Sequence, residues 1–181
     1  MEELAYEFYS VGPIFLQVAL VASYLAGFVV ALIIRRNATW SIRRVPYLLL
    51  WTCCVLLSTA LSFAWLLISY AKADGLLWLL TISIFAGTIA IGYAYGVFAH
   101  ARSVNAAGTG NFAWIAALPI LGLGLVFIAP QQKTVRHGAK WVGDLFGIAV
   151  ALILLLGAIP TLGWLSDSAL EFMARRVAVV P

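Results

Sequence analysis

The chain has 181 residues, of which 64% are hydrophobic and only 10% charged, with a net charge of +4 and a mean hydropathy of +1.04. An ordinary soluble domain carries about 25% charged residues, so this composition excludes a water-soluble domain and describes a single all-α unit, residues 1–181, embedded in lipid. Only helices and closed barrels satisfy their backbone inside a bilayer, and the apolar runs here have helical length, which predicts a polytopic transmembrane helical bundle.

The chain opens with Glu2, Glu3 and Glu7. It lacks the positive n-region of a secretory signal, and the first apolar run is too long for a signal h-region, so no cleavage is expected. A hydrocarbon core about 30 Å thick takes a helix of roughly 20 residues. Four runs meet that length, at residues 13–34, 45–71, 76–99 and 141–164. The first begins at Pro13, a residue suited to the first helical position, and stops at Arg35 and Arg36. Only Lys72, Ala73, Asp74 and Gly75 separate the second from the third, so these two are expected to be antiparallel neighbours.

After His100 the residues from Ala101 to Asn111 are rich in Gly and Asn, which is loop chemistry. Residues 112–129 are apolar but interrupted by Pro119, Gly122 and Gly124 and followed by Pro130. Two readings stay open for that segment: a fifth span, or a short, re-entrant broken helix covered by protein. At the C-terminal end Ser168 and Glu171 form a capping box, and an interfacial helix is expected over residues 167–177.

Arg35, Arg36, Arg43 and Arg44 crowd the loop after the first span, while the residues before it carry no Lys or Arg. The positive-inside rule then places loop 35–44 in the cytoplasm and the N-terminus outside. The same rule decides little about residues 112–129. If they span, seven Lys/Arg lie inside and four outside; if they re-enter, eight lie inside and three outside.

Buried ionisable groups are the default pointers to function in a membrane, and none lies near the centre of the expected spans. That argues against a proton pump or a transporter built on a central carboxylate. Asp144 is read as neutralising the start of its own helix beside Lys140, with a cation or a partner's arginine as its other reading. His100 and His137 are read as loop histidines flanking helices, offering no axial ligand for haem or chlorophyll, and no cofactor is expected beyond bound lipid. Cys53 and Cys54 are adjacent and fit neither a disulfide framework nor a metal spacing, and they are expected to pack or to face lipid. The common catalytic motifs are missing, which argues for a protein that is not an enzyme.

Small residues four apart recur in every expected span: Ser23 and Gly27, Ser58 and Ser62, Gly92 and Gly96, Gly143 and Gly147. Such pairs let helix backbones approach closely in lipid, either within the bundle or against another membrane subunit. Trp40, Trp51, Trp78, Trp114, Trp141 and Trp164 fall near the expected interfaces and are read as an aromatic belt.

Arg102, Asn105, Gly108-Thr-Gly110, Trp114 and Leu118-Pro119 form a pattern that resembles one found in small polytopic bacterial inner-membrane proteins of uncharacterised function. In those an Asp commonly follows the Arg, where this chain has Val104 and Asn105. The resemblance implies a bacterial inner membrane and brings no reaction with it. The expectation is therefore a non-catalytic accessory subunit of a larger inner-membrane complex, with other integral-membrane subunits and lipid as partners and no nucleic acid. The alternative is a small channel or carrier built around the broken helix at Pro119, Gly122 and Gly124.

Overall fold

A computed structural model describes residues 3, 5, 7, 13–63, 75–128 and 144–158. In chain order they form α1 (Pro13–Arg35), α2 (Arg44–Phe63), α3 (Leu77–Ala107), a 3-10 helix (Gly110–Ala117) and α4 (Pro119–Phe127), then α5 (Asp144–Ala158). No strand occurs among the described residues.

α1, α2 and α3 are long and apolar enough to cross a membrane. Three of the four expected spans are matched; of the fourth, expected over residues 141–164, α5 is the described part, and residues 141–143 and 159–164 lie outside those described. Residues 64–71 of the second expected span, Gly143, and the expected interfacial helix 167–177 also lie outside them. Within the long helices, hydroxyls are satisfied on their own helix one turn back, as apolar surroundings demand. Ser23 donates to the Ala19 carbonyl at 2.8 Å, Thr59 to Val55 at 2.8 Å, and Thr88 to Ile84 at 2.7 Å.

α3 is longer than expected. It has 31 residues, about 46 Å at 1.5 Å per residue, and continues through the stretch that reads as a loop, ending only where Gly108 takes the left-handed conformation at φ 71°. The Gly108 N–H donates to the Val104 carbonyl at 2.9 Å and closes the helix. The loop reading of residues 101–107 is thus corrected. Its polar residues are turned into the protein, where Ser103 donates to the Thr109 carbonyl at 2.6 Å and Arg102 to Asn105 at 2.6 Å. The first true breaker is Gly108.

α3 is the axis of the bundle. α1 runs parallel to it: Gly92 lies against Tyr24, and Gly96, four residues on, lies against Phe28 and Ala31. α2 runs antiparallel to it, with Tyr47 at Tyr95 and Leu61 at Gly87. The alternation is what three consecutive crossings require. The α1–α3 seam is a backbone-to-backbone approach, since a Cβ on Gly27 would fall on the Ile89 carbonyl and one on Gly92 on the Tyr24 carbonyl.

Residues 110–128 form a hairpin. Gly110 lies against the His100 ring, at one end of the bundle. The chain then passes to Leu118 and Pro119, which share a cleft with Tyr24 and Ile91 near the middle of α1 and α3. α4 carries it back until Leu125 and Ile128 reach Arg102. The segment enters and leaves at the same end, and α4, with nine residues, covers about 14 Å, half a bilayer.

The core lies where α1, α2, α3 and the hairpin meet, around Phe28, Tyr47, Trp51, Tyr95, Ala113 and Leu125. Around it large side chains face outward along all three long helices, among them Ile14, Val18, Ile33, Leu57 and Ile82. An exposed apolar surface on this scale suits lipid and not water.

Candidate functional site

The polar groups of the bundle converge on α4. The last carbonyls of a helix have no intrahelical partners, and in apolar surroundings each needs another donor; Arg102 supplies it at the C-terminal end of α4, while Trp51 and Tyr47 add second donors to carbonyls nearer its start. Trp51 Nε1 donates to the Pro119 carbonyl at 2.9 Å, and Tyr47 Oη donates to the Gly122 carbonyl at 3.0 Å. Arg102 donates from Nε to the Leu125 carbonyl at 2.9 Å and from Nη2 to the Ile128 carbonyl at 2.5 Å. The accepting positions 119, 122, 125 and 128 are three apart, so they fall along one side of the helix, where i and i+3 are neighbours.

Arg102 is the centre of this arrangement. Its exposure is 0%, and Nη1 takes Asn105 Oδ1 as a further acceptor. No carboxylate pairs with it among the described residues. The guanidinium is neutralised instead by the negative end of the α4 dipole and by an amide oxygen. Asn105 provides a neutral acceptor. Tyr47 and Tyr95 place their hydroxyls 3.4 Å apart beside Gly122, and a Cβ on Gly122 would strike the Tyr95 hydroxyl.

Thr52 is the exception to this economy. It is fully buried, and its hydroxyl has no hydrogen-bond partner, although a helical threonine ordinarily reaches the carbonyl one turn back.

Two clefts open on the bundle. One, of about 320 Å³, lies between α1 and α2 over α3 and is lined by Leu20, Tyr24, Leu61, Ile91 and Pro119, nearly all apolar. The other, of about 340 Å³, lies at the end of the bundle where the hairpin begins. Leu32, Arg36, His100, Gly110, Asn111 and Trp114 line it. Among the described residues no group of three or more His, Cys, Asp or Glu side chains could hold a metal ion.

The small-residue pairs divide. Gly27, Gly92 and Gly96 meet in the α1–α3 seam, and Gly147 sits against Val45, which brings α5 onto α2. Ser23 is bonded within α1, and Ser58 lines the apolar cleft. Of the broken-helix residues, Pro119 and Gly122 offer carbonyls to the clamp, whereas a Cβ on Gly124 would meet nothing within 4 Å.

Three side chains are placed otherwise than the sequence suggests. His100, read as a loop histidine, is 4% exposed within α3; Arg102, read as a loop cation, is fully buried; Trp51, read as belt, is 9% exposed. Each was judged from its distance to the end of an apolar run, and that signal fails where α3 outlasts its run and a hairpin covers the flank. Trp114 and Trp40, about half exposed, keep the peripheral position expected of them. Cys53 is exposed and Cys54 buried, both as free thiols. Comparison with protein-family models, curated proteins and solved structures finds no match to this chain.

Proposed function

We propose that the protein is a non-catalytic accessory subunit of a larger complex in a bacterial inner membrane, with the hairpin 110–128 re-entering the bilayer from the arginine-rich side. The observation that carries this reading is the state of Arg102. An ionisable group buried in a membrane protein ordinarily marks a substrate or ion path, but this guanidinium is bonded to the end of its own chain's half-helix at Leu125 and Ile128 and to Asn105 on its own helix. The charge is spent on architecture. The apolar cleft between α1 and α2 supports the same reading, because its lining is almost wholly apolar, the chemistry that suits a partner's transmembrane helix.

Gentle extraction from native membranes, native gel separation and mass spectrometry of co-migrating chains test it. A stoichiometric larger membrane partner supports a subunit. Migration as a lone monomer contradicts it.

The hairpin favours a second reading, a small channel or carrier, because broken helices line sites in transporters. Half-helix carbonyl ends hold cations in such proteins, and here Arg102 already occupies that place. Replacing Pro119, Gly122 and Gly124 with Leu would abolish flux in liposomes on this reading; unaltered flux, or none in the wild type, would sink it.

A further inference from the structure

The cleft beside the hairpin is built differently from the rest of the surface. His100 is 4% exposed, yet it makes no hydrogen bond to another described residue. Buried imidazoles ordinarily have a partner. Its ring sits in the space left by Gly110, where any Cβ would strike Nε2, so the glycine is what lets the imidazole line the cleft. Arg36, in the turn just after α1, adds a guanidinium, Asn111 of the 3-10 helix an amide, and Trp114 an indole. Among the described residues no acidic side chain lines the cleft and its charge is positive, and Arg35, Arg43 and Arg44 stand at the same end of the sequence's first two helices.

We propose that this cleft binds a phosphate ester anion, carried by the headgroup of an anionic phospholipid. A planar guanidinium forks onto phosphate oxygens, and an imidazole and an amide supply neutral donors beside it. Basic pockets between membrane helices are suited to such headgroups. The apolar wall favours a lipid over free phosphate. Leu32 and Ile33 form that wall, and Ile33, 66% exposed, continues onto the outer face of α1, where an acyl chain would lie. An indole such as that of Trp114 suits the boundary between headgroup and chain.

The test is native mass spectrometry of the full chain in mild detergent, titrated with phosphatidylglycerol, with diacylglycerol, which lacks the phosphate, and with inorganic phosphate. Phosphatidylglycerol is expected to bind at one saturable site and diacylglycerol not to. Arg36→Gln should weaken that binding roughly fivefold, and so should Asn111→Ala in the same direction. Both residues are exposed, so neither change disturbs the core. Arg43→Gln, an exposed arginine outside the cleft, should leave the affinity unchanged. Equal losses for Arg36→Gln and Arg43→Gln would mean diffuse charge attraction and overturn the site. Equal binding of diacylglycerol would remove the phosphate from the account. Inorganic phosphate binding as tightly as the lipid, and displacing it, would overturn the lipid assignment.

Discussion

Arg102 closes the C-terminal end of α4 by donating from Nε to the Leu125 carbonyl at 2.9 Å, across 23 residues of sequence. One planar side chain thereby ties α3 to the far end of the hairpin and satisfies carbonyls that lack intrahelical partners. Arg102→Leu removes the donor and leaves the buried Leu125 carbonyl and Asn105 amide oxygen, and the part-buried Ile128 carbonyl, without it. An unsatisfied buried acceptor costs roughly 1–3 kcal/mol, so with two of them a loss of at least about 2 kcal/mol is expected, measured by reversible unfolding in mixed detergent micelles. Arg102→Lys should recover only part of it, because an ammonium lacks the guanidinium's fork. Full recovery by Lys would mean that charge alone matters.

The glycines make opposite predictions according to what a Cβ would meet. Gly27→Ala and Gly92→Ala push a methyl group into backbone carbonyls of the facing helix, and separating two packed helices is expected to cost roughly 1–3 kcal/mol. Gly124→Ala meets open space within α4, so it should stabilise by about 0.5–1 kcal/mol through helix propensity alone. Thermal unfolding of the three variants in one detergent separates the cases. A stabilising Gly27→Ala would contradict the parallel α1–α3 seam.

Thr52 offers a test of polar bookkeeping in the core. Its hydroxyl is buried and unpartnered, so Thr52→Val keeps the shape and removes the unmet group. The change is expected to be neutral or to stabilise by up to about 1 kcal/mol, in contrast to the loss expected of Arg102→Leu. A destabilisation of similar size would show that the hydroxyl has a partner in the folded protein.

The membrane class, the three long helices and the antiparallel pairing of α2 with α3 were legible in the sequence, because apolar length and a four-residue connection dictate them directly. The interruption at Pro119 was legible too, since proline starts a helix more readily than it continues one, whereas α4 runs unbroken through Gly122 and Gly124. The clamp was not. Trp51 and Tyr47 look like ordinary membrane tryptophan and tyrosine until α4 lies against them, and Arg102 reads as a topology signal as long as α3 is taken to end at Ala99. Hydropathy averages over a window and records no direction, so it cannot tell an arginine facing water from one capped by carbonyls 23 residues away.

The central claim is that residues 110–128 enter and leave the membrane on one side, with Arg102 locking the return. Single cysteines at Asn111 and Ile128, in a chain with Cys53→Ser and Cys54→Ser, can be labelled with a membrane-impermeant maleimide in sealed inverted and right-side-out vesicles, with Arg36→Cys marking the arginine-rich side. The account predicts that positions 111 and 128 react in the same vesicle orientation as position 36. Labelling of 111 and 128 in opposite orientations would mean that the segment spans the bilayer, and would contradict it.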